Sequence, residues 1–145
     1  MKTNQKGFTL IELLVVIAII GLLSTLSIVA LNSARARARD ARRVSDVKQI
    51  QTALEMYYNS ENSYPANSGV TSSAPIVGAI ATSSTYMTSV PIAPTPVDGS
   101  CTAAQNSYVY TQQSTGASYT LTYCLGAQTG DVPAGLRTAT PGGLR

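Results

Sequence analysis

Several residue types that carry chemistry in enzymes are missing or scarce in this chain of 145 residues. Histidine and tryptophan are absent, phenylalanine occurs once, and only 12% of the residues are charged. Without histidine there is no Ser/His/Asp set for nucleophilic catalysis, and no Gly-rich phosphate loop is present. We therefore expect a protein that is not an enzyme and that needs no cofactor.

The chain has two cysteines, Cys101 and Cys124, in a region rich in Gly, Ser, Thr and Tyr. Two thiols in a chain without histidine do not fill a four-ligand zinc site, so no metal is expected there. A disulfide is the economical interpretation. It would stabilise the fold by about 3 kcal/mol on chain-entropy grounds, and it requires an oxidising compartment. Two free buried thiols are the alternative.

A long apolar run, Phe8–Leu31, contains 24 residues and one charge, Glu12. At about 1.5 Å per residue it covers about 36 Å, which is enough to cross a bilayer. The run is longer than the apolar core of an ordinary secretory signal, and it carries an acid near its start. It predicts a membrane helix over residues 8–31.

Glu12 needs a partner, because an ionised carboxylate in hydrocarbon costs at least a few kcal/mol. No Lys or Arg lies one helical turn away on the membrane side. If the chain is cut between Gly7 and Phe8, the new α-amino group of Phe8 on a neighbouring subunit can neutralise Glu12. The alternative is that Glu12 lies near the headgroups and has no role.

The stretch KGFTLIELLVVIAIIG, Lys6–Gly21, resembles the prepilin signature of type IV pilins and type II secretion pseudopilins. The resemblance implies that a membrane-embedded prepilin peptidase cuts after Gly7 and that Phe8 becomes the methylated N-terminus. It places Thr9 at a familiar position of the motif. It also implies that Glu12 pairs with the N-terminal amine of another subunit during assembly.

One position departs from the resemblance, since Val29 stands where the family often has a helix-kinking proline. No Pro or Gly lies between Gly21 and Ser60, so a continuous helix is expected. Local melting in a filament would depend on the small and hydroxyl residues of the run, which are Gly21, Ser24, Thr25 and Ser27.

Beyond the apolar run, the helical period continues and predicts an amphipathic helix over residues 32–60. Its predicted apolar face has residues spaced by three or four: Ala34, Ala38, Ala41, Val44, Val47, Ile50, Leu54, Tyr57 and Tyr58. The opposite face carries charged residues, which are Arg35, Arg39, Arg42, Asp46 and Lys48. Arg42 and Asp46 are placed for an i,i+4 contact.

Five arginines lie within nine residues: Arg35, Arg37, Arg39, Arg42 and Arg43. They can form a solvated helix face, contact anionic headgroups, or contact acidic positions of neighbouring subunits. Contacts to nucleic-acid phosphates are a fourth interpretation. No aromatic residue is interleaved for base stacking, so nucleic acid is not the expected partner.

The charges on the two sides of the run conflict with the other topology signals. The positive-inside rule counts more bases after the run than before it, and would leave the C-terminal domain in the cytoplasm. The cysteines and the family resemblance imply the opposite orientation. We expect a single-pass protein of the cytoplasmic membrane with its N-terminus in the cytoplasm before assembly, and a filament at the cell surface afterwards.

Two segments after the helix predict a β-hairpin, residues 107–112 and 118–125, joined by a loop containing Gly116. Alternation divides β-strand residues between two faces. One face carries Tyr119, Leu121, Tyr123 and Leu125, and the other carries Thr120, Thr122 and Cys124. Leu121 and Leu125 are expected to face the long helix.

The rest of the domain gives weaker signals. NSENSYP, residues 59–65, predicts the end of the helix. The spacing of Ile76, Ile80 and Met87 indicates a short helix, after a loop at residues 66–75. Turns and extended chain are expected over Pro91–Gly99. The Gly- and Pro-rich tail from Pro133 to Arg145 is expected to be irregular surface chain.

These observations predict an α+β, pilin-like fold in which a long N-terminal α-helix packs on a small antiparallel β-sheet. The predicted segments are a leader (1–7), a hydrophobic assembly helix (8–31), an amphipathic helix (32–60) and a β-rich domain (61–145). In major pseudopilins a late acidic loop typically holds calcium. Only Asp98 and Asp131 follow Glu61 here, so we expect no calcium site.

The expected function is that of a structural subunit of a type IV pilus-like extracytoplasmic filament. Its expected partners are copies of itself, the membrane before assembly, prepilin peptidase and the assembly machinery. One alternative is a major pseudopilin of a type II secretion system. Another is a membrane-tethered minor pilin for adhesion or DNA uptake, whose hairpin tyrosines contact a glycan or a cell surface. The Cys101 to Cys124 spacing resembles the disulfide-closed loop of type IV pilins and favours a pilus subunit.

Overall fold

The structure is a computed structural model that describes residues 7–67, 76–77 and 85–145. The chain divides into two compact units, Met1–Arg35 and Ala36–Arg145. One helix, α1, runs from Leu10 to Glu61 and contributes residues to both units. The predicted long helix is confirmed, and it ends one residue beyond the predicted Ser60.

The first unit contains the apolar part of α1. Its large apolar side chains from Phe8 to Leu31 are each at least 45% exposed. A window of 18 residues has a mean hydropathy of 2.8, so by length and composition the helix can cross a membrane. The hydroxyls of Ser24, Thr25 and Ser27 donate to carbonyl oxygens of the preceding turn at 2.7–2.8 Å. The segment considered for local melting is helical throughout.

α1 ends at the predicted stop signal. Asn62 has a φ of 59°, and its amide donates to the carbonyl of Tyr58 at 2.8 Å, which closes the last turn. Pro65 follows and cannot continue a helix. The amide of Tyr64 then donates to the carbonyl of Gly116 at 2.8 Å, so the chain leaving the helix is joined to the hairpin loop.

The second unit contains a four-stranded antiparallel sheet and a separate two-stranded pair. The strands are β1 (Ile76–Val77), β2 (Thr85–Met87), β3 (Val109–Gln113), β4 (Ser118–Leu125), β5 (Gly135–Thr140) and β6 (Gly143–Leu144). β1 pairs with β2, and the large sheet has the order β3-β4-β5-β6. The predicted hairpin is β3–β4, with Tyr110 opposite Leu121. The predicted α+β fold is therefore confirmed.

The core of the second unit lies between α1 and the large sheet. The helix contributes Val47, Ile50, Ala53, Leu54 and Tyr57. β4 contributes Tyr119, Leu121, Tyr123 and Leu125, each at most 1% exposed. The face that alternation assigned to the helix is thus the buried face. Thr120 and Thr122 on the other face are only partly buried.

The four hairpin tyrosines fill this core. Tyr108, Tyr110, Tyr119 and Tyr123 are at most 9% exposed. A domain with no Trp and one Phe depends on tyrosine for large buried side chains, and Tyr64 packs edge-on against Tyr119 with ring centroids 4.7 Å apart. The four hairpin tyrosines are therefore not available for the surface contacts that the tethered alternative required.

The prediction of an irregular tail was wrong. Residues 135–140 form β5 along the free edge of β4, and Ala139 opposite Leu121 is completely buried. The backbone groups on that edge of β4 need hydrogen-bond partners, and the tail supplies them. The Pro141–Gly142 pair then makes the turn into β6. Gly and Pro in this tail mark the turns at the ends of short strands, and a composition rich in them does not by itself indicate irregular chain.

The short helix predicted around Ile76 and Met87 was also wrong. Ile76 and Met87 pair across the β1–β2 ladder. The β-branched and aromatic residues of Ile76–Val77 and Thr85–Met87 favour extended chain. Ile80 and most of the predicted loop at 66–75 lie outside the described residues. Pro91–Gly99 has no regular element, as predicted.

The predicted apolar face of α1 is wrong for its first three residues and correct from Val44 onward, because Val44 packs against the core. Ala34, Ala38 and Ala41 are exposed. The buried positions of this stretch are instead three charged residues, Asp40, Arg43 and Asp46. They are buried because the loops facing them supply charged and hydrogen-bonding partners.

Candidate functional site

The first candidate site is the start of α1. Oε2 of Glu12 accepts hydrogen bonds from the Thr9 amide at 2.8 Å and from the Thr9 hydroxyl at 2.6 Å. The Glu12 amide donates back to the Thr9 hydroxyl at 3.3 Å. This reciprocal pair is a capping box, which satisfies amide groups at the helix start. It also places an acid at the positive end of the helix dipole.

Glu12 keeps one carboxylate oxygen available. Both hydrogen bonds from Thr9 end on Oε2, and no described residue donates to Oε1. Glu12 is exposed, and Phe8 is 80% exposed. The three residues predicted for assembly, Phe8, Thr9 and Glu12, therefore lie on the surface of the first unit.

Gly7 lies two residues before Thr9, where this capping box begins. A Cβ at position 7 would meet no described atom within 4 Å, and the backbone there is not in the left-handed region. The folded chain therefore does not require glycine at this position. Any requirement for Gly7 arises from something other than the described fold.

The second candidate site is a buried cluster of charged side chains in the second unit. Asp40 and Arg43 are at most 1% exposed, and Nη1 of Arg43 donates to Oδ1 of Asp40 at 2.8 Å. The amides of Gly126 and Ala127 donate to Oδ1 and Oδ2 of Asp40 at 3.0 Å and 2.9 Å. The carboxylate thus has three donors, as a buried charge requires.

The guanidinium of Arg43 binds a second loop. Nη1 also donates to Oδ2 of Asp98 at 3.1 Å. Nη2 donates to the carbonyls of Pro94 and Pro96 and to Oδ1 of Asn106, at 2.9–3.2 Å. A single helix side chain therefore binds four residues of the loops before the hairpin.

Arg39 completes the cluster from one turn earlier on α1. Its Nε donates to Oδ2 of Asp98 at 2.8 Å, and its Nη2 donates to Oδ1 of the same carboxylate. These hydrogen bonds hold the pKa of Asp98 below its ordinary value, although burial acts in the opposite direction. Asp98 was considered as one of few acids for a metal site. Among the described residues, no group of three His, Cys, Asp or Glu side chains is placed to hold a metal ion.

The predicted disulfide between Cys101 and Cys124 is confirmed, with an S–S distance of 1.99 Å. Cys101 follows the loop that carries Asp98, and its amide donates to the Asp98 carbonyl at 3.2 Å. Cys124 lies two residues before Gly126. The disulfide therefore joins the two loops that bind Asp40, Arg43 and Arg39 on the helix.

One further buried acid extends this polar face. Oδ2 of Asp46 accepts a hydrogen bond from the Tyr108 hydroxyl at 2.9 Å. Burial, and next this hydrogen bond, raise the pKa of Tyr108. The predicted contact between Arg42 and Asp46 is at its limit, with Nε 4.0 Å from the carboxylate. Asp46 therefore belongs to the interior contacts of the domain, contrary to the prediction that it lies on the solvated face.

The five arginines divide into two groups. Arg39 and Arg43 make intramolecular ion pairs with Asp98 and Asp40. Arg35, Arg37 and Arg42 are exposed, and the Arg42 side chain is 68% exposed. A single solvated basic face, one of the four interpretations, therefore does not describe the cluster.

Sequence reasoning missed the Thr9–Glu12 capping box and the Asp40–Arg43 pair. The first has a direct signal, because a Thr followed three residues later by Glu before an apolar run is a capping signature. The second has only an opposite-charge i,i+3 spacing. That spacing is common on exposed helix surfaces and does not indicate burial.

Comparisons with known proteins concern the first candidate site directly. A family model described as the prokaryotic N-terminal methylation motif matches residues 2–28, which include Thr9 and Glu12. A fimbrial protein of Neisseria meningitidis serogroup A is 40% identical over 81 residues, covering 54% of this chain and 48% of that protein. The type II secretion system core protein G of Aeromonas hydrophila is 41% identical over 64 residues, covering 44% and 45%.

A third relative is the type IV major fimbrial protein FimA of Dichelobacter nodosus, which is 47% identical over 55 residues, covering 38% of this chain and 35% of that protein. The chain spans about half the length, or less, of the curated relatives it matches. No solved structure matches it significantly.

Proposed function

We propose that this chain, which is a homologue of type IV fimbrial proteins and of type II secretion core protein G, is a structural subunit of a type IV pilus-like extracytoplasmic filament. The observation that carries the proposal is the exposure of all the large apolar side chains between Phe8 and Leu31. So large an apolar surface requires a bilayer or other copies of the helix around it. A helix that is stored in the membrane and then packs against copies of itself has its apolar surface covered at both stages.

The proposal includes processing after Gly7. The folded chain does not use the conformational freedom of Gly7, so a peptidase that recognises the residue would account for glycine there. Cleavage would leave Phe8 as a charged N-terminus, which is then methylated. The segments of the mature protein would be the assembly helix (8–31), the amphipathic helix (32–60) and the β-rich domain (61–145).

Assembly would pair Glu12 with the Phe8 amine of a neighbouring subunit. Because Thr9 occupies only Oε2 of Glu12, Oε1 can accept the incoming amine without opening the capping box. The pair would neutralise a carboxylate inside the apolar surface of a filament, where an isolated charge is costly. Thr9 would act by holding the Glu12 side chain in place.

Before assembly the subunit would be a single-pass protein of the cytoplasmic membrane with its N-terminus in the cytoplasm. The Cys101–Cys124 disulfide supports an exported second unit, because such bonds persist in oxidising compartments. Prepilin peptidase and the assembly machinery would be the protein partners besides other copies. A structural role of this kind requires no catalytic group.

Two substitutions at position 12 test the assembly step. Glu12→Gln keeps a side-chain oxygen for the capping box but removes the charge, whereas Glu12→Ala removes both. Filaments in sheared surface fractions should be lost in both variants, while both proteins stay in the membrane. Filaments of normal yield from Glu12→Gln would show that the charge is not used and would overturn the amine pairing. Mass spectrometry of the wild-type fraction should give a chain that begins at methylated Phe8.

A second candidate is a pseudopilin of a type II secretion system, favoured by the similarity to core protein G. Deletion of the gene distinguishes the two functions. Loss of surface filaments with normal protein secretion supports a pilus subunit. Loss of secretion without any change in surface filaments supports the pseudopilin.

A further inference from the structure

In the stretch of α1 just after the apolar run, residues 32–42, the exposed charged side chains are all positive. Between Leu13 and Arg42 the chain contains one acid, Asp40. Asp40 is completely buried, and its carboxylate is occupied by Arg43, Gly126 and Ala127. The fold thus removes from the surface the one negative charge that would repel a phosphate near this stretch.

Two of the exposed arginines lie close to the end of the apolar run. On a helix rising about 1.5 Å per residue, Arg35 is about 6 Å and Arg37 about 9 Å beyond Leu31. The headgroup layer of a bilayer is roughly 5–8 Å thick on each side of the hydrocarbon. Arginine side chains are long enough to reach back along a helix toward such a layer. Arg42, about 16 Å beyond Leu31, lies outside it.

The direction of the two side chains distinguishes between kinds of partner. Positions 35 and 37 differ by about 200° around the helix axis and by about 3 Å along it. The two guanidinium groups therefore leave the helix on nearly opposite sides at nearly the same depth. A nucleic acid or a protein lying along one side of the helix meets only one of them. A bilayer surface surrounds the helix and meets both.

We propose that Arg35 and Arg37 form a cationic collar that binds anionic phospholipid headgroups where α1 leaves the bilayer. The collar acts on the subunit before assembly and rests on the proposed membrane stage. It fixes how far the helix stands out of the membrane and enriches anionic lipid around it. Arg39 and Arg43 take no part, because Asp98 and Asp40 already neutralise them.

The test measures lipid preference in reconstituted vesicles. The full chain is placed in bilayers of phosphatidylcholine with spin-labelled phosphatidylglycerol or spin-labelled phosphatidylcholine as probe, and the association of each probe is compared. We expect a preference for the anionic probe of about fivefold for each arginine at low salt. The preference should fall as salt is added, because exposed charges are screened.

Two double variants make the test specific. Arg35→Gln with Arg37→Gln should reduce the preference to the part that Lys2, Lys6 and the N-terminal amine produce at the other end of the apolar run. Arg42→Gln with Arg145→Gln removes the same charge outside the headgroup layer and should leave the preference intact. Equal association of both probes with the wild type, or an unchanged preference in the first variant, overturns the collar. Binding of duplex DNA that depends on Arg35 and Arg37, in a protein without lipid preference, would assign them to a nucleic acid instead.

The result is independent of filament formation. A normal filament yield together with no lipid preference counts against the collar alone. A chain that is extracted from the vesicles by alkaline carbonate has no membrane stage, and that outcome overturns the proposed function as well as the collar.

Discussion

Arg43 of α1 donates to Asp40, one turn earlier on the same helix, and the two side chains form an ion pair that is at most 1% exposed. Each partner also binds a different loop. Asp40 accepts from the amides of Gly126 and Ala127 after β4, and Arg43 donates to the loops before β3. The pair therefore attaches both ends of the disulfide-closed segment to the helix.

Removal of one member should unbalance this cluster. Asp40→Ala leaves Arg43 buried with one carboxylate fewer, and it leaves two amides without their acceptor. We expect a loss of about 3–5 kcal/mol in the free energy of unfolding, measured by denaturant titration of the full chain in detergent. Arg42→Ala removes an exposed charge of the same helix and should cost less than about 1 kcal/mol. A loss below about 1 kcal/mol for Asp40→Ala would contradict the role of the pair.

The Arg39–Asp98 pair should make stability depend on acid pH. The pKa of Asp98 is lower in the folded than in the unfolded chain, so its contribution is fully present above the ordinary pKa of 3.8. The contribution is lost as the pH falls through the folded pKa. Melting temperatures between pH 2 and pH 7 should therefore fall less steeply at the acid end for Asp98→Asn than for the wild type. Parallel curves for the two proteins would exclude Asp98 as a source of the acid dependence.

The disulfide should stabilise the cluster as well as the chain. Cys101→Ser with Cys124→Ser opens a loop of 23 residues in sequence separation, which should cost about 3 kcal/mol. Because Cys124 is close to Gly126 and Ala127, their amides should also exchange hydrogen faster. Hydrogen exchange of these two amides, compared with the Tyr64 amide on the hairpin loop, measures the local effect. If hydrogen exchange is accelerated equally at all three amides, the disulfide stabilises the whole domain and has no local effect on the cluster.

Strand β5 should tolerate a charged side chain at position 136 but not at position 139. Ala139 is completely buried in β5, whereas Leu136 in the same strand is 51% exposed. Ala139→Asp should destabilise the second unit by at least about 3 kcal/mol, because it buries an unpaired charge. Leu136→Asp should have a small effect. The two variants are compared by thermal unfolding, followed by the near-ultraviolet signal of the buried tyrosines. Similar losses of stability in both variants would contradict the packing of β5.

The apolar residues predicted the helix and the hairpin well. Val47, Ile50 and Leu54 recur at helical spacing, and Tyr119, Leu121 and Tyr123 alternate, so periodicity locates both buried faces. The two cysteines and the oxidising compartment implied by the resemblance were enough to predict the disulfide. The helix and the hairpin depend on the local spacing of apolar residues, and the disulfide depends on cysteines that usually pair with each other.

Apolar periodicity could not predict the polar half of the interior. Asp40 and Arg43 are buried because Gly126, Ala127 and Asp98 face them, and those partners are more than 50 residues away along the chain. The tail strand β5 also depends on a tertiary contact, because it forms by pairing with the edge of β4. Burial of charge and pairing of an edge strand depend on the tertiary structure, which a local pattern does not contain.

The capping box at the start of α1 has a consequence for the reversibility of the proposed filament. Glu12 already receives two hydrogen bonds from Thr9 in a separate chain, so joining a neighbour does not rescue a bare carboxylate. The free energy gained at this contact when a subunit joins the filament is therefore smaller than that of an amine binding a carboxylate that had no hydrogen bonds. A subunit can leave the end of such a filament with its acid still satisfied by its own first turn.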